Sequence, residues 1–165
     1  MEIGVISDTH GFLAPSALQV LSGVQLIVHA GDIGNEAVLG QLETVAPVIA
    51  IHGNTDSGTE LARTYPASRW IEREGVLIYL THIGGKPNHL VQSLPKTADG
   101  RSPHVYIFGH SHRPLCEVHN SVLFLNPGTA GAPRGAGLSV ARLTVHDGTA
   151  QAVLIPLTDS PRAIR

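Results

Sequence analysis

Short apolar runs rich in β-branched residues recur along the first third of the chain, each followed by a polar turn and then by helix-like spacing. Glu2–Ser7 leads into Asp8-Thr9-His10-Gly11, Leu26–Ala30 into Gly31-Asp32, and Val48–Ile51 into His52-Gly53-Asn54-Thr55-Asp56. Between them, Ser16–Leu21 and Glu36–Val45 carry apolar residues at helical intervals, with Asn35 in the position of an N-cap. Strands that are apolar throughout and alternate with helices predict βαβ units and a parallel sheet covered on both faces.

The pattern changes in the second half. Arg69–Arg73 and Val76–Thr81 flank Glu74-Gly75, a hairpin signal. Val105–Phe108 is a short buried strand that ends in Gly109-His110-Ser111-His112. Cys116–His119 and Val122–Asn126 flank Asn120-Ser121, and Leu138–Val145 and Ala150–Pro156 flank His146-Asp147-Gly148-Thr149. Most of these strands follow one another without helices, which predicts a second, more antiparallel sheet. The long polar connection over 84–103 has room for a short helix near His89–Leu94.

A length of 165 residues suits one domain, 1–165, with residues 157–165 reading as a frayed tail. Only 4% of residues are aromatic, so Val, Ile, Leu and Ala must fill the core. No apolar run approaches the roughly 20 residues that span a bilayer, so a membrane partner is not expected. The opening residues read as a strand rather than a signal peptide, and the lone Cys116 excludes an internal disulfide; both favour a cytoplasmic location. A formal charge of −2 and the absence of a basic run argue against a nucleic-acid partner. Ten histidines in a chain so poor in aromatics ask for a chemical reason, and metal binding is the commonest one.

The polar residues are not scattered. Asp8, His10, Asp32, Asn54, His82, His110 and His112 each follow an apolar strand run, and sites form at the carboxyl ends of strands in open α/β sheets. If the strands are neighbours, three carboxylate or amide oxygens and four imidazoles converge. That mixture suits Mn, Fe, Ni, Co or Zn better than calcium. Seven donors are too many for one ion with an open position and natural for two ions sharing a carboxylate. Glycines precede Asp32, Asn54 and His110, where the backbone must turn sharply and bring the ligand close.

Asp8-Thr9-His10, Gly31-Asp32, Gly53-Asn54, His82 and Gly109-His110-Ser111-His112 resemble, in order, the signature of the calcineurin-like metallophosphoesterases. Length, Gly53-Asn54-Thr55-Asp56 and Asn126-Pro127-Gly128-Thr129 are most similar to the small bacterial and archaeal phosphodiesterase branch, over Met1 to about Pro156. The resemblance implies an α/β fold, a four-layer αββα sandwich of two mixed β-sheets flanked by helices. It implies two divalent cations, Mn first, with Ni, Co, Fe, Zn or Mg as the others. Asp8, His10, Asp32 and His112 would hold the first; Asp32, Asn54, His82 and His110 would hold the second, with Asp32 bridging. A hydroxide between the ions would attack phosphorus of a small phosphate ester, with Asp32, Asn54 and His82 as the catalytic set. Asn54 supplies a ligand, and a substrate contact, without negative charge. Thr55 stands where many relatives have a histidine that can protonate the leaving group, so esters with stable leaving groups, phosphodiesters above all, are expected. His82-Ile83-Gly84-Gly85 departs from the His-Gly-His of many relatives and would reshape the substrate pocket.

Other polar residues are assigned smaller parts. Arg134 is a candidate for binding substrate phosphate, with a loop-stabilising ion pair as the alternative; Lys86 is a weaker one. His29 and His52 are expected to pack beneath the site, and His89, His104, His119 and His146 on the surface. Asp56 is expected to cap a following short helix, with orienting a ligand as the alternative. Trp70 and Tyr79 read as core or as a subunit contact in a homo-oligomer. Two competing functions remain: a non-catalytic interaction scaffold, as in the retromer subunit that shares the fold, and a phosphomonoesterase or nucleotidase. A nuclease would need a basic groove that the chain lacks.

Overall fold

The computed structural model describes residues 1–131 and 137–159. In chain order the elements are β1 (Glu2–Ile6), α1 (Pro15–Val20), β2 (Leu26–His29), α2 (Glu36–Glu43), β3 (Val48–Ala50), α3 (Glu60–Thr64), β4 (Ser68–Arg73), β5 (Val76–Thr81), α4 (Pro87–Leu90), β6 (Val105–Ile107), β7 (Leu115–His119), β8 (Val122–Asn126), β9 (Ser139–His146) and β10 (Thr149–Pro156). They build two five-stranded mixed sheets, ordered β10-β9-β1-β2-β3 and β4-β5-β6-β8-β7.

The βαβ pattern produces the parallel core of the first sheet, β1 beside β2 and β2 beside β3. Asn35 caps α2, its side-chain oxygen accepting from the Ala37 N–H at 2.9 Å. In the second sheet, β5, β6 and β8 run parallel, and β4 and β7 are added as antiparallel edges. Each of three hairpins turns on two residues with positive φ, Glu74-Gly75, Asn120-Ser121 and Asp147-Gly148. This geometry matches the right-handed twist of the flanking strands.

The last hairpin departs from expectation. β9 and β10 leave the second sheet and join the first, β9 lying antiparallel along β1. A hairpin pattern specifies that two strands pair with each other, not which sheet edge receives them. Here Ala141, Leu143 and Val145 of β9 bury into the layer between the sheets, beside Ile3 and Val5 of β1. Two residues of the expected tail are also anchored: Leu157 donates to the Leu138 carbonyl, and Asp159 accepts from Ser16 N–H and Oγ.

Three apolar layers hold the sandwich. Aliphatic residues of both sheets, among them Ile78, Leu80, Ile107 and Leu125, fill the space between them. Ala17 of α1, its C-cap Leu21, and Leu39 and Leu42 of α2 cover the outer face of the first sheet over Ile6 and Ile27. The outer face of the second sheet is thinly covered: Tyr106, Phe108 and Phe124 pack against Leu90 of the four-residue α4 and against Val91 and Leu94 beyond it. The Trp70 and Tyr79 rings meet on this face at 4.8 Å, tilted by 56°. No helix among the described residues is long and apolar enough to cross a membrane. The consequence for the site is that the carboxyl ends of β1, β2 and β3 meet those of β5, β6 and β8 along one rim of the sandwich.

Candidate metal centre

All seven candidate donors lie on that rim: Asp8 and His10 after β1, Asp32 after β2, Asn54 after β3, His82 after β5, and His110 and His112 after β6. Five of them have left-handed backbones: φ is 55° at Asp8, 47° at His10, 54° at Asp32, 67° at His110 and 57° at His112. For residues with a Cβ this costs on the order of 1 kcal/mol each and persists only where the surroundings fix it. Here the loops after β1 and β2 are zipped together, Asp8 N–H to Gly31 O at 3.0 Å, His10 N–H to Asp32 O at 3.0 Å and Gly11 N–H to Ile33 O at 2.7 Å.

The side chains converge in two overlapping groups. In the first, Asp8 Oδ1 lies 3.2 Å from His112 Nε2 and 3.9 Å from His10 Nε2, and His10 Nε2 lies 3.7 Å from Asp32 Oδ2. In the second, His82 Nε2 lies 3.3 Å from the same Asp32 Oδ2 and 3.1 Å from Asn54 Oδ1, which is 2.9 Å from His110 Nδ1. Asp8 Oδ2 accepts from Ser7 Oγ at 2.6 Å and from the His110 N–H at 3.0 Å, whereas Asp8 Oδ1 is buried with no hydrogen-bond partner. An ionised oxygen left bare among imidazole nitrogens is costly unless a cation meets it. The ligand atoms of Asp8, His10 and His112, and those of Asp8, Asp32 and His82, each fall within 4.8 Å of one another, so these residues could hold metal.

The ionisation states agree with that chemistry. Burial pushes the Asp32 carboxyl up, but hydrogen bonds from His82 and Thr55 and the His82 charge hold it well below the usual carboxylate range. The Thr55 contribution includes its N–H, 2.9 Å from Asp32 Oδ1. His82 is shifted up: burial lowers it, and the Asp32 hydrogen bond, the Ala30 carbonyl and the charges of Asp8 and Asp32 outweigh that. His82 Nδ1 donates to Ala30 O at 2.7 Å, which aims Nε2 at Asp32 and Asn54.

A brace of side chains that the sequence reading assigned no part, or another part, holds the loops. Asp56 does not cap α3. Its buried carboxylate accepts from Ile33 N–H at 3.0 Å, Gly34 N–H at 2.9 Å and Gly53 N–H at 2.8 Å, tying the Asp32 loop to the Asn54 loop. Buried Asn126 donates to Gly109 O at 2.9 Å and Ser111 Oγ at 3.1 Å, and Thr129 donates to Asp8 O at 2.7 Å. The signal was available in Asn126-Pro127-Gly128-Thr129, a polar turn after an apolar strand on the same rim. The glycines serve closeness more than turning. A Cβ on Gly53 would sit 2.0 Å from Asp32 Oδ1 and one on Gly109 2.0 Å from Ser7 Oγ, whereas only Gly31 of the three has positive φ.

His29 packs beneath the site, fully buried. His52 is half-buried, and His89, His104 and His146 are exposed. Arg134 lies outside the described residues. Two clefts adjoin the centre, one of about 540 Å³ touching His110 and one of about 300 Å³ touching Asn54 and His82.

Comparison with known proteins decides the family. The profile of the calcineurin-like phosphoesterase superfamily domain matches residues 1–148. The chain belongs to the calcineurin-like phosphoesterase superfamily. Among calcineurin-like relatives it is similar to a probable metallophosphoesterase of Methanothermobacter thermautotrophicus, 34% identical over 150 residues that cover 88% of this chain and 86% of that protein. It is also similar to phosphodiesterase YfcE of Escherichia coli K12, 29% identical over 160 residues covering 82% of each. The sandwich superposes on Vps29 of Chaetomium thermophilum with a TM-score of 0.74 at 18% identity, over 95% of this chain and 97% of that one, a likeness of fold alone. Divalent metal ions are general to calcineurin-like phosphoesterases, and the donor groups above suit them.

Proposed function

We propose that the chain is a metal-dependent phosphodiesterase that hydrolyses small phosphate diesters or nucleotides at a centre of two divalent cations. The observation that carries this is the bare Asp8 Oδ1, buried within reach of two imidazoles, next to an Asp32 oxygen shared by both donor groups. Asp8, His10, Asp32 and His112 would hold one cation, and Asp32, Asn54, His82 and His110 the other. When bound, such cations lower the pKa of water and neutralise charge growing on phosphoryl oxygens.

The chain's own residues supply the rest. Asn54 turns its carbonyl oxygen toward His82 and His110 and is exposed, so its amide N–H groups are placed to donate to a phosphoryl oxygen. Asp32 remains ionised at all working pH values and is therefore a permanent acceptor between the donor groups. Thr55 is spent through its backbone on Asp32 and brings no acidic side chain, so alcohols that leave without protonation are preferred. The competing reading, an interaction scaffold on the same fold, would not require the donor set to be complete.

The test is hydrolysis of bis-p-nitrophenyl phosphate and p-nitrophenyl phosphate by metal-stripped protein with Mn, Ni, Co, Zn or Mg added back singly. Metal-dependent turnover favouring the diester is expected, and Asp32→Asn should lose turnover and metal stoichiometry together. Full activity in that variant would sink the bridging role; no turnover with any ion would favour the scaffold.

A further inference from the structure

The two clefts beside the centre differ in more than size. They meet along one segment: His82 and Ile83 line the smaller, and Gly84 and Gly85 line the larger. A diester bound at the centre therefore has a cleft on either side to receive a substituent. Among the described residues, the smaller cleft, with His52, Ser57, Thr81 and Ile83 on its walls, bears no Lys, Arg, Asp or Glu. Among the described residues, the larger cleft bears the cationic side chains Lys86 and Arg113 and no acidic one. Both are exposed, and neither forms an ion pair among the described residues, although other arginines do, such as Arg63, Arg101 and Arg142.

The walls of the larger cleft are largely apolar. Pro87 is buried, Leu115 half-buried, and the Phe108 ring lies under Gly84, where an added Cβ would meet it at 2.3 Å. Glycine at 84 therefore lets the backbone settle onto the ring. Apolar walls that include an aromatic ring, together with exposed cationic side chains on the same lining, suit a planar group that carries negative charge. Two cationic side chains on one cleft, neither in an ion pair among the described residues, suit an anionic ligand.

We propose that the cleft beside His110 receives the larger arm of the diester and that this arm is nucleoside-like, with a second anionic group, beyond the scissile phosphate, held by Lys86 and Arg113. The proposal rests on the phosphodiesterase reading and narrows its substrate class to asymmetric diesters, a small neutral arm on one side and a nucleoside phosphate arm on the other.

Two chromogenic esters isolate the second anion: thymidine 5′-p-nitrophenyl phosphate, and the same ester carrying a 3′-phosphate. With the metal-loaded protein, kcat/KM for the 3′-phosphorylated ester should exceed that of its parent by about tenfold or more, the worth of one charged hydrogen bond. In the Lys86→Ala/Arg113→Ala double variant the ratio should fall to about one, with thermal unfolding as the check of the fold. Binding of thymidine 3′,5′-bisphosphate, followed by calorimetry, should weaken in the variant by the same factor and depend on salt in the wild type. A wild-type ratio near one overturns the proposal, and so does equal bisphosphate binding by wild type and variant, whether or not any ester turns over. Bis-p-nitrophenyl phosphate separates the two levels: its turnover without discrimination between the thymidine esters leaves the phosphodiesterase and removes the anion subsite. Inert esters with tight, variant-sensitive bisphosphate binding do the reverse.

Discussion

His29 is the residue where burial and protonation compete most plainly. Desolvation lowers its pKa to about 4, against weaker upward pulls from the charges of Asp8 and Asp56. Its Nδ1 accepts from the Gly31 N–H at 3.2 Å, so Nε2 carries the proton and donates to Thr9 Oγ1 at 3.0 Å; that hydroxyl donates to Ile33 O at 2.9 Å. A second proton would have to face an N–H. The unfolded chain protonates this histidine near 6.5, so the unfolded state binds more protons between the two values. The contribution is complete above pH 6.5 and is lost as pH falls toward 4, on the order of 3 kcal/mol. Urea unfolding of metal-free protein across that window should show the loss, and His29→Gln should flatten it; parallel profiles for the two proteins would refute the account. The place of His29 beneath the site was legible because it sits in an apolar strand run directly before Gly31-Asp32. The part of Asp56 was not, because its three donors come from loops 22, 23 and 3 residues away that only the sheet order brings together.

At the scale of elements, the seven donors depend on loops that have little regular structure of their own, and Asp56 joins two of them. Asp56→Ala leaves the buried N–H groups of Ile33 and Gly53 without their acceptor, and removes the partner of the part-buried Gly34 N–H. Unpaired buried donors cost about 1–3 kcal/mol each, so a destabilisation of at least about 2 kcal/mol is expected in denaturant unfolding, with metal affinity lowered in a competitive chelator titration. A loss below 1 kcal/mol would mean that the loops hold themselves. The strands were legible in the sequence as apolar runs bounded by turn residues, and the two-residue hairpin turns as positions that tolerate positive φ. The home sheet of β9 and β10 was not, because alternation on a strand reports which face is buried and not which neighbour it meets. The larger cleft was equally hidden: Lys86 and Arg113 are far apart in sequence, and the glycines between His82 and Lys86 could only be flagged as a change of pocket shape.

For the whole molecule, a cation at the proposed centre would compete with a proton for the same rim. In the metal-free protein His82 is shifted up chiefly by Asp32, after burial has pulled it down, so entry of a cation displaces its proton. The His82–Asp32 pair stabilises the metal-free fold below pH 6.5, and that contribution is lost as pH rises through the raised value. The rise in Tm on adding Mn should therefore be larger at pH 8 than at pH 6 by calorimetry; a pH-independent rise would place the metal elsewhere.

The return of β9 to the first sheet also bears on how the chain is made. All seven donors have been synthesised once His112 leaves the ribosome, yet β1, which leads into the first two of them, gains its second neighbour only when residues 139–146 arrive. The Asp8 carbonyl likewise waits for Thr129. Synthesis runs from the amino end, so the donors that emerge first are among the last to be locked in place, and an ion captured by the unfinished chain would be held by ligands that have not yet settled.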